Sequence, residues 1–231
     1  MFNRFLIILL CVNVNCCFSQ NCLDKILQQR IYTKPGDIIN GRQWINEKHY
    51  SGSPLLIPEY WPIGDIYYNG LHYSGQVMNY DLFKEEMIVY CHEKEKVRFV
   101  VISNDKLAGF TFTDTILNRK HTYEYKELPG IRGYTLYENA SSGKILFYIK
   151  PIKKVELRSA YEGSGEYIDR YEYYLNSGDI FVRITSKGQL VKLLKEQGTE
   201  LKRYMRDHNF KFSDKNPENI IDMIHYSDSL N

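Results

Sequence analysis

Asn69-Gly70, set between two runs rich in aromatic and β-branched residues, constrains this chain more than any other feature. A two-residue hairpin of type I′ needs positive φ at both central positions, which asparagine and glycine tolerate best. With these two residues at the centre, Tyr68 pairs with Leu71, Tyr67 with His72 and Ile66 with Tyr73. Alternation then puts Ile66, Tyr68, Leu71 and Tyr73 on one face and Tyr67 and His72 on the other. One apolar and one wetter face is the pattern of an antiparallel sheet with water on one side. The run goes on through residues 77–80, 87–91 and 97–102, so the hairpin opens a meander.

Strands are predicted at 63–68, 71–80, 87–92, 97–102, 107–113, 121–126, 132–138, 144–150, 153–158, 166–174 and 179–184. Turn-forming stretches join them, among them Leu128-Pro129-Gly130 and Asn176-Ser177-Gly178-Asp179. No helical pattern intervenes, so the crossovers that a parallel sheet requires are missing. At Thr185 the period changes. Leu190, Val191, Leu193 and Leu194, then Leu201, Tyr204 and Met205, recur at helical spacing, with Gly198 between the two groups. Residues 213–217 cap a third helix whose apolar side carries Ile220, Ile221, Met223 and Ile224.

The expected fold is therefore α+β and mainly β. A curved antiparallel sheet (half-barrel, roll or sandwich) precedes a small C-terminal helical module. Residues 1–19 form a signal peptide and 20–62 an irregular N-terminal segment with a short helix near Leu23, Ile26 and Leu27. That segment lays Trp44 and Trp61 against the sheet. Residues 63–184 form the β domain, and 185–231 the helical module packed on it.

The leader reading rests on Arg4, the apolar stretch from Phe5 to Val12, and small residues near Ser19, with cleavage before Gln20. The apolar run falls short of the roughly 20 residues that span a membrane. No transmembrane segment is expected after the leader is removed. A lipoprotein leader, acylated at Cys16, Cys17 or Cys22, is the competing reading. The expected location is the periplasm or the extracellular side, peripheral to the outer membrane in one version.

Export sets the redox compartment. Of five cysteines, only Cys22 and Cys91 survive leader removal, which makes them a candidate disulfide. Such a bond would stabilise by roughly 4 kcal/mol on the chain-entropy view. Alternatively Cys22 is a terminal residue and Cys91 a small core hydrophobe. The net charge of +2 gives no basic stripe, so no nucleic-acid partner is expected. Residues 187–206 hold six basic residues against two acidic ones. Among leucines this reads as a solvated helix face, with a membrane surface as the alternative.

Three groups of residues carry a resemblance. Tyr67-Tyr68-Asn69-Gly70 is followed by Tyr73 and then Asn79-Tyr80-Asp81. Tyr173-Tyr174 comes before a turn and a strand. Asn209 to Phe212 precedes a final amphipathic helix. In these respects the chain is similar to uncharacterised exported proteins of Bacteroidetes-type bacteria. The resemblance implies export and a β body with a helical end. It implies no activity and no functional residue.

Chemistry is sparse in the sequence. Asp81 reads as a structural residue of the turn into Leu82-Phe83-Lys84, alongside the hairpin residues Asn69 and Gly70, although an aspartate at a strand end can also act as a base. The histidines at 49, 72, 92, 121, 208 and 225 lack the spacing of metal ligands, so no metal is expected. His92-Glu93 begins a zincin pattern that no second histidine completes. Glu162 to Glu166 is glycine-flanked around Ser164 but has no following helix, so it reads as a turn and not as a nucleophile elbow or phosphate loop. Carboxylates at 162, 166, 169 and 172 are numerous enough to form a glycosidase pair by chance. No cofactor is expected.

Tyrosine stands out, at 20 residues. Tyr167, Tyr171 and Tyr173 share one strand parity and form a candidate aromatic binding surface; alternatively they pair across strands and cover the core. The favoured expectation is a non-catalytic exported envelope protein that binds an apolar ligand or an envelope protein. A secreted hydrolase acting on glycans or peptides, and an adhesive or structural surface component, are the alternatives.

Overall fold

A computed structural model describes residues 38, 41–46, 50–93, 96–158, 164–194 and 198–230. The leader, the short helix expected near Leu23 and Cys22 lie outside these residues. The described strands are β1 (Arg42–Gln43), β2 (Ile63–Tyr68), β3 (Leu71–Asp81), β4 (Glu86–Glu93), β5 (Lys96–Ile102), β6 (Leu107–Asp114), β7 (Arg119–Lys126), β8 (Thr135–Asn139), β9 (Phe147–Leu157), β10 (Gly165–Ser177) and β11 (Ile180–Ile184). Three helices follow: α1 (Lys187–Leu193), α2 (Gly198–Asp207) and α3 (Glu218–Ser229). The chain is mainly β with a helical C-terminal end.

The β2–β3 hairpin has the expected register, with Tyr68 opposite Leu71, Tyr67 opposite His72 and Ile66 opposite Tyr73. Its turn residues take φ of 51° at Asn69 and 72° at Gly70. Ile66 and Tyr68 are buried and Tyr67 is exposed, as alternation requires. Leu71, expected on the apolar face, is 56 % exposed although its partner Tyr68 is buried.

All eleven strands belong to one antiparallel sheet in the order β1-β5-β4-β3-β2-β6-β7-β8-β9-β10-β11. β3 is the hinge of this arrangement. Its residues up to Val77 pair with β2, while Met78 to Asp81 pair with β4. Tyr80 of β3 and Phe110 of β6 lie two strands apart, a spacing of roughly 10 Å in a flat sheet. Their rings nevertheless stack at 6.2 Å, so the sheet curls toward that face. One apolar cluster accordingly runs from Cys91 and Ile102 across to Tyr123 and Leu136.

Two strand expectations need correction. The sequence predicts separate strands at 144–150 and 153–158, but β9 runs unbroken from Phe147 to Leu157, Pro151 included. Pro151 faces Tyr171 of β10, whose amide donates outward to the Asp214 carbonyl at 2.7 Å. This is a non-hydrogen-bonded pair, so the donor that proline lacks would point toward β8. β8 pairs with β9 only at Tyr148 and Ile149, so no ladder bond is lost. Residues 42–43, expected as irregular, pair with β5. Trp44 and Trp61 do lie against the sheet, packing with Ile88, Phe99 and Val101.

A strap of residues 50–57 spans the open side of the curl. The Ser51 amide donates to the Gly165 carbonyl at 2.9 Å and the Tyr167 amide to the Ser51 carbonyl at 3.0 Å. Further along, the Leu56 amide donates to the Tyr80 carbonyl at 2.8 Å. The buried Asn79 side chain fastens the strap by donating to the Ile57 carbonyl at 2.8 Å and accepting from its amide at 3.2 Å. Beyond the strap, the helices bury Leu190, Leu201, Met205, Ile220 and Ile224 against Phe147, Ile149, Tyr173 and Ile184 of the sheet. Ser186 caps α1, its hydroxyl accepting from the Gln189 amide at 3.2 Å. Among the described residues, no helix is long and apolar enough to cross a membrane.

Candidate functional site

Between the strap and the start of α3 the sheet is covered by neither, and a cavity of about 290 Å³ opens there. Alternation along β7 points Arg119, His121 and Tyr123 to this side. The β7–β8 register puts Glu138 opposite Tyr123 and diagonal to His121. Asp114 arrives from β6 and Tyr171 from β10, while Leu56 and Ile57 of the strap and Lys215 to Glu218 form the sides. The site thus lies at the junction of the two large apolar clusters.

Its floor is a chain of opposite charges. Nδ1 of His121 lies 2.8 Å from Oε1 of Glu138. A carboxylate oxygen accepts, so Nδ1 carries the proton of this bond. Nε2 is buried and has no hydrogen-bond partner among the described residues. Arg119 donates through Nη2 to the same Glu138 oxygen at 3.2 Å. Through Nη1 it also donates to both carboxylate oxygens of Glu218, at 3.1 and 3.0 Å. His121 and Glu138 are each 6 % exposed, so this is a buried pair tied by an arginine to the first turn of α3.

Local electrostatics fix the protonation of the flanking groups. Burial opposes charge on Asp114, but the amides of Leu117 and Ile116 and the nearby His121 outweigh it and hold its carboxyl below the usual range. Burial pushes the Tyr171 phenol well above its ordinary value, and the carboxylates of Asp169, Glu138 and Glu218 push it further. Burial and then Glu138 do the same for Tyr123. The cavity therefore offers neutral phenols and an ionised aspartate.

The residues singled out in the sequence are dispersed. Asn69 and Gly70 sit at the far hairpin tip. Oδ1 of Asp81 accepts from the amides of Phe83 and Lys84 at 3.0 and 2.9 Å, and Oδ2 accepts from the Trp44 indole at 3.1 Å. These bonds make it the cap of the β3–β4 turn. Tyr167 packs edge-on against Tyr50 and Phe83 beside a small cavity of about 110 Å³ that Asp81 also lines. Tyr171 lines the seam cavity. Tyr173 is buried, its hydroxyl donating to the Ser213 carbonyl at 2.6 Å. The three tyrosines are thus divided between two separate cavities and a buried position. Cys91 is buried, its thiol 3.9 Å from the Val89 carbonyl. Cys22 lies outside the described residues, and no disulfide joins two described residues.

Sequence reasoning missed Arg119, Glu138 and Glu218 and left His121 among scattered histidines. Their spacing in the chain carries no signal, since the pairs are 17, 19 and 99 residues apart. No three histidine, cysteine or carboxylate side chains among the described residues form a metal-binding group. Comparison with family models, with curated proteins and with solved structures finds no match to this chain.

Proposed function

We propose that this chain is an exported, non-catalytic protein of the cell envelope that binds its ligand at the seam between strap and helical module. Export is supported by Arg4, the short apolar stretch after it and the small residues near Ser19. Binding without turnover is supported by the engagement of Glu138 with both Arg119 and His121. A carboxylate already neutralised by two donors is poorly placed as a base or nucleophile. Among the described residues, no serine, threonine or cysteine lines the cavity. The mixed walls favour a polar ligand over the apolar one expected of the curved sheet.

A second reading, a hydrolase, is favoured by one observation. His121 is oriented by a carboxylate in the way a general base is.

Native mass spectrometry of the protein from its host's envelope fraction tests the proposal. The expected spectrum shows loss of residues 1–19 and a retained small molecule. A mass that starts at Met1 would remove export. A bare chain that nonetheless hydrolyses glycosides or esters, and loses that activity on His121→Gln, would replace binding with catalysis.

A further inference from the structure

We propose that the seam cavity takes an uncharged, hydroxyl-bearing ligand the size of one sugar ring; this rests on the binding reading above. The argument begins with charge. Asp114, Glu138 and Glu218 face Arg119 and Lys215 around the cavity. Arg119 is already committed to both glutamates. An anion entering here would meet three carboxylates with only the exposed Lys215 to offset them. A metal ion lacks a ligand set among the described residues. An organic cation would sit beside the Arg119 guanidinium and the Lys215 ammonium. A neutral molecule meets none of these penalties.

Unspent hydrogen-bonding capacity then selects among neutral molecules. The Tyr171 hydroxyl stays protonated and can donate. Asp114 stays ionised, with one oxygen spent on the Ile116 and Leu117 amides. His121 Nε2 is a buried ring nitrogen with no hydrogen-bond partner among the described residues. Hydroxyl groups both donate and accept, and so match this mixed set. The side walls at Leu56, Ile57 and Pro217 are apolar and suit the C–H face of a ring. A volume of about 290 Å³ stands at the lower end of ligand sites, which run from about 300 to 1,000 Å³. One ring fits there.

Protein-observed NMR of the exported form tests this with two panels at millimolar concentration. The neutral panel is glucose, galactose and N-acetylglucosamine; the charged panel is glucuronate and glucosamine. A neutral probe is expected to shift the signals of Tyr171, His121 and Glu218. Its dissociation constant should stay within about twofold on raising salt or on Lys215→Gln, since no charge is neutralised. Tyr171→Phe, which keeps the ring and the packing, should weaken binding by about tenfold, the loss of one good hydrogen bond. If only the charged probes shift the seam, the ligand class is wrong and the binding reading stands. If neither panel shifts it and the native mass is bare, both fall.

Discussion

One carboxylate oxygen, Oε1 of Glu138, takes both the imidazole of His121 at 2.8 Å and the guanidinium of Arg119 at 3.2 Å. Both donors depend on it. Truncating Glu138 to alanine leaves an imidazole N–H without its acceptor in a site 6 % exposed, and removes half of the charge that holds Arg119. Breaking a buried ionic arrangement from one side costs more than the arrangement contributes, because the stranded partner stays desolvated. Glu138→Ala is expected to lower stability by about 3 kcal/mol, read from urea unfolding. A loss below about 1 kcal/mol would mean that His121 and Arg119 re-pair or rehydrate freely.

Glu218 offers the contrast. It binds the same arginine with two oxygens, yet its side chain is 47 % exposed while that of Glu138 is 8 % exposed. Water replaces a carboxylate at the rim at little cost. Glu218→Ala should therefore cost about 1 kcal/mol or less, and the difference should shrink in high salt. A loss equal to that of Glu138→Ala would show that the first turn of α3 is clamped through this bond alone.

The fold was legible where local chemistry has one solution. Asn69-Gly70 admits a type I′ turn, and the turn sets the register of β2 on β3. Helix α3 was legible because Ile220, Ile221, Met223 and Ile224 repeat at helical spacing, and all four are buried. The continuity of β9 through Pro151 was not legible, because a sequence shows that a donor is missing but not which side of the strand it would face. The site was illegible for a related reason. His121 meets Glu138 only through the β7–β8 register, and Arg119 meets Glu218 only once the helices fold back over the sheet. Neither contact leaves a trace in spacing.

Two glycines separate steric from conformational cost. Gly64 lies on β2 between β3 and β6, where a Cβ would collide with the Thr111 carbonyl and crowd Met78 and Phe112. The neighbour is backbone and cannot yield. Gly64→Ala is expected to cost about 3 kcal/mol. At Gly70 an added Cβ meets nothing within 4 Å, so only the φ of 72° is unfavourable. Gly70→Ala should cost about 1 kcal/mol. Thermal unfolding of the pair checks the order, and equal losses would contradict the placement of β2 inside the sheet.

Asp114 gives the pH dependence its sign. Its Oδ1 accepts from the Ile116 amide at 2.7 Å and from the Leu117 amide at 2.9 Å, closing the β6–β7 turn. Those bonds hold its carboxyl below the usual value in the folded state, against the opposing effect of burial. A depressed folded value means that the unfolded chain takes up the proton first as pH falls. The stabilisation is thus complete above the unfolded value of about 4 and is lost as pH falls through the folded one. Asp114→Asn keeps an acceptor oxygen and removes only the charge. It should cost about 1 kcal/mol at pH 7, the excess of a charged over a neutral acceptor. Urea unfolding at neutral pH and near pH 3 is expected to show this gap narrowing in acid. A gap that stays constant would assign the loss to packing at the turn, and the charge on Asp114 would then play no part in holding the rim of the seam cavity.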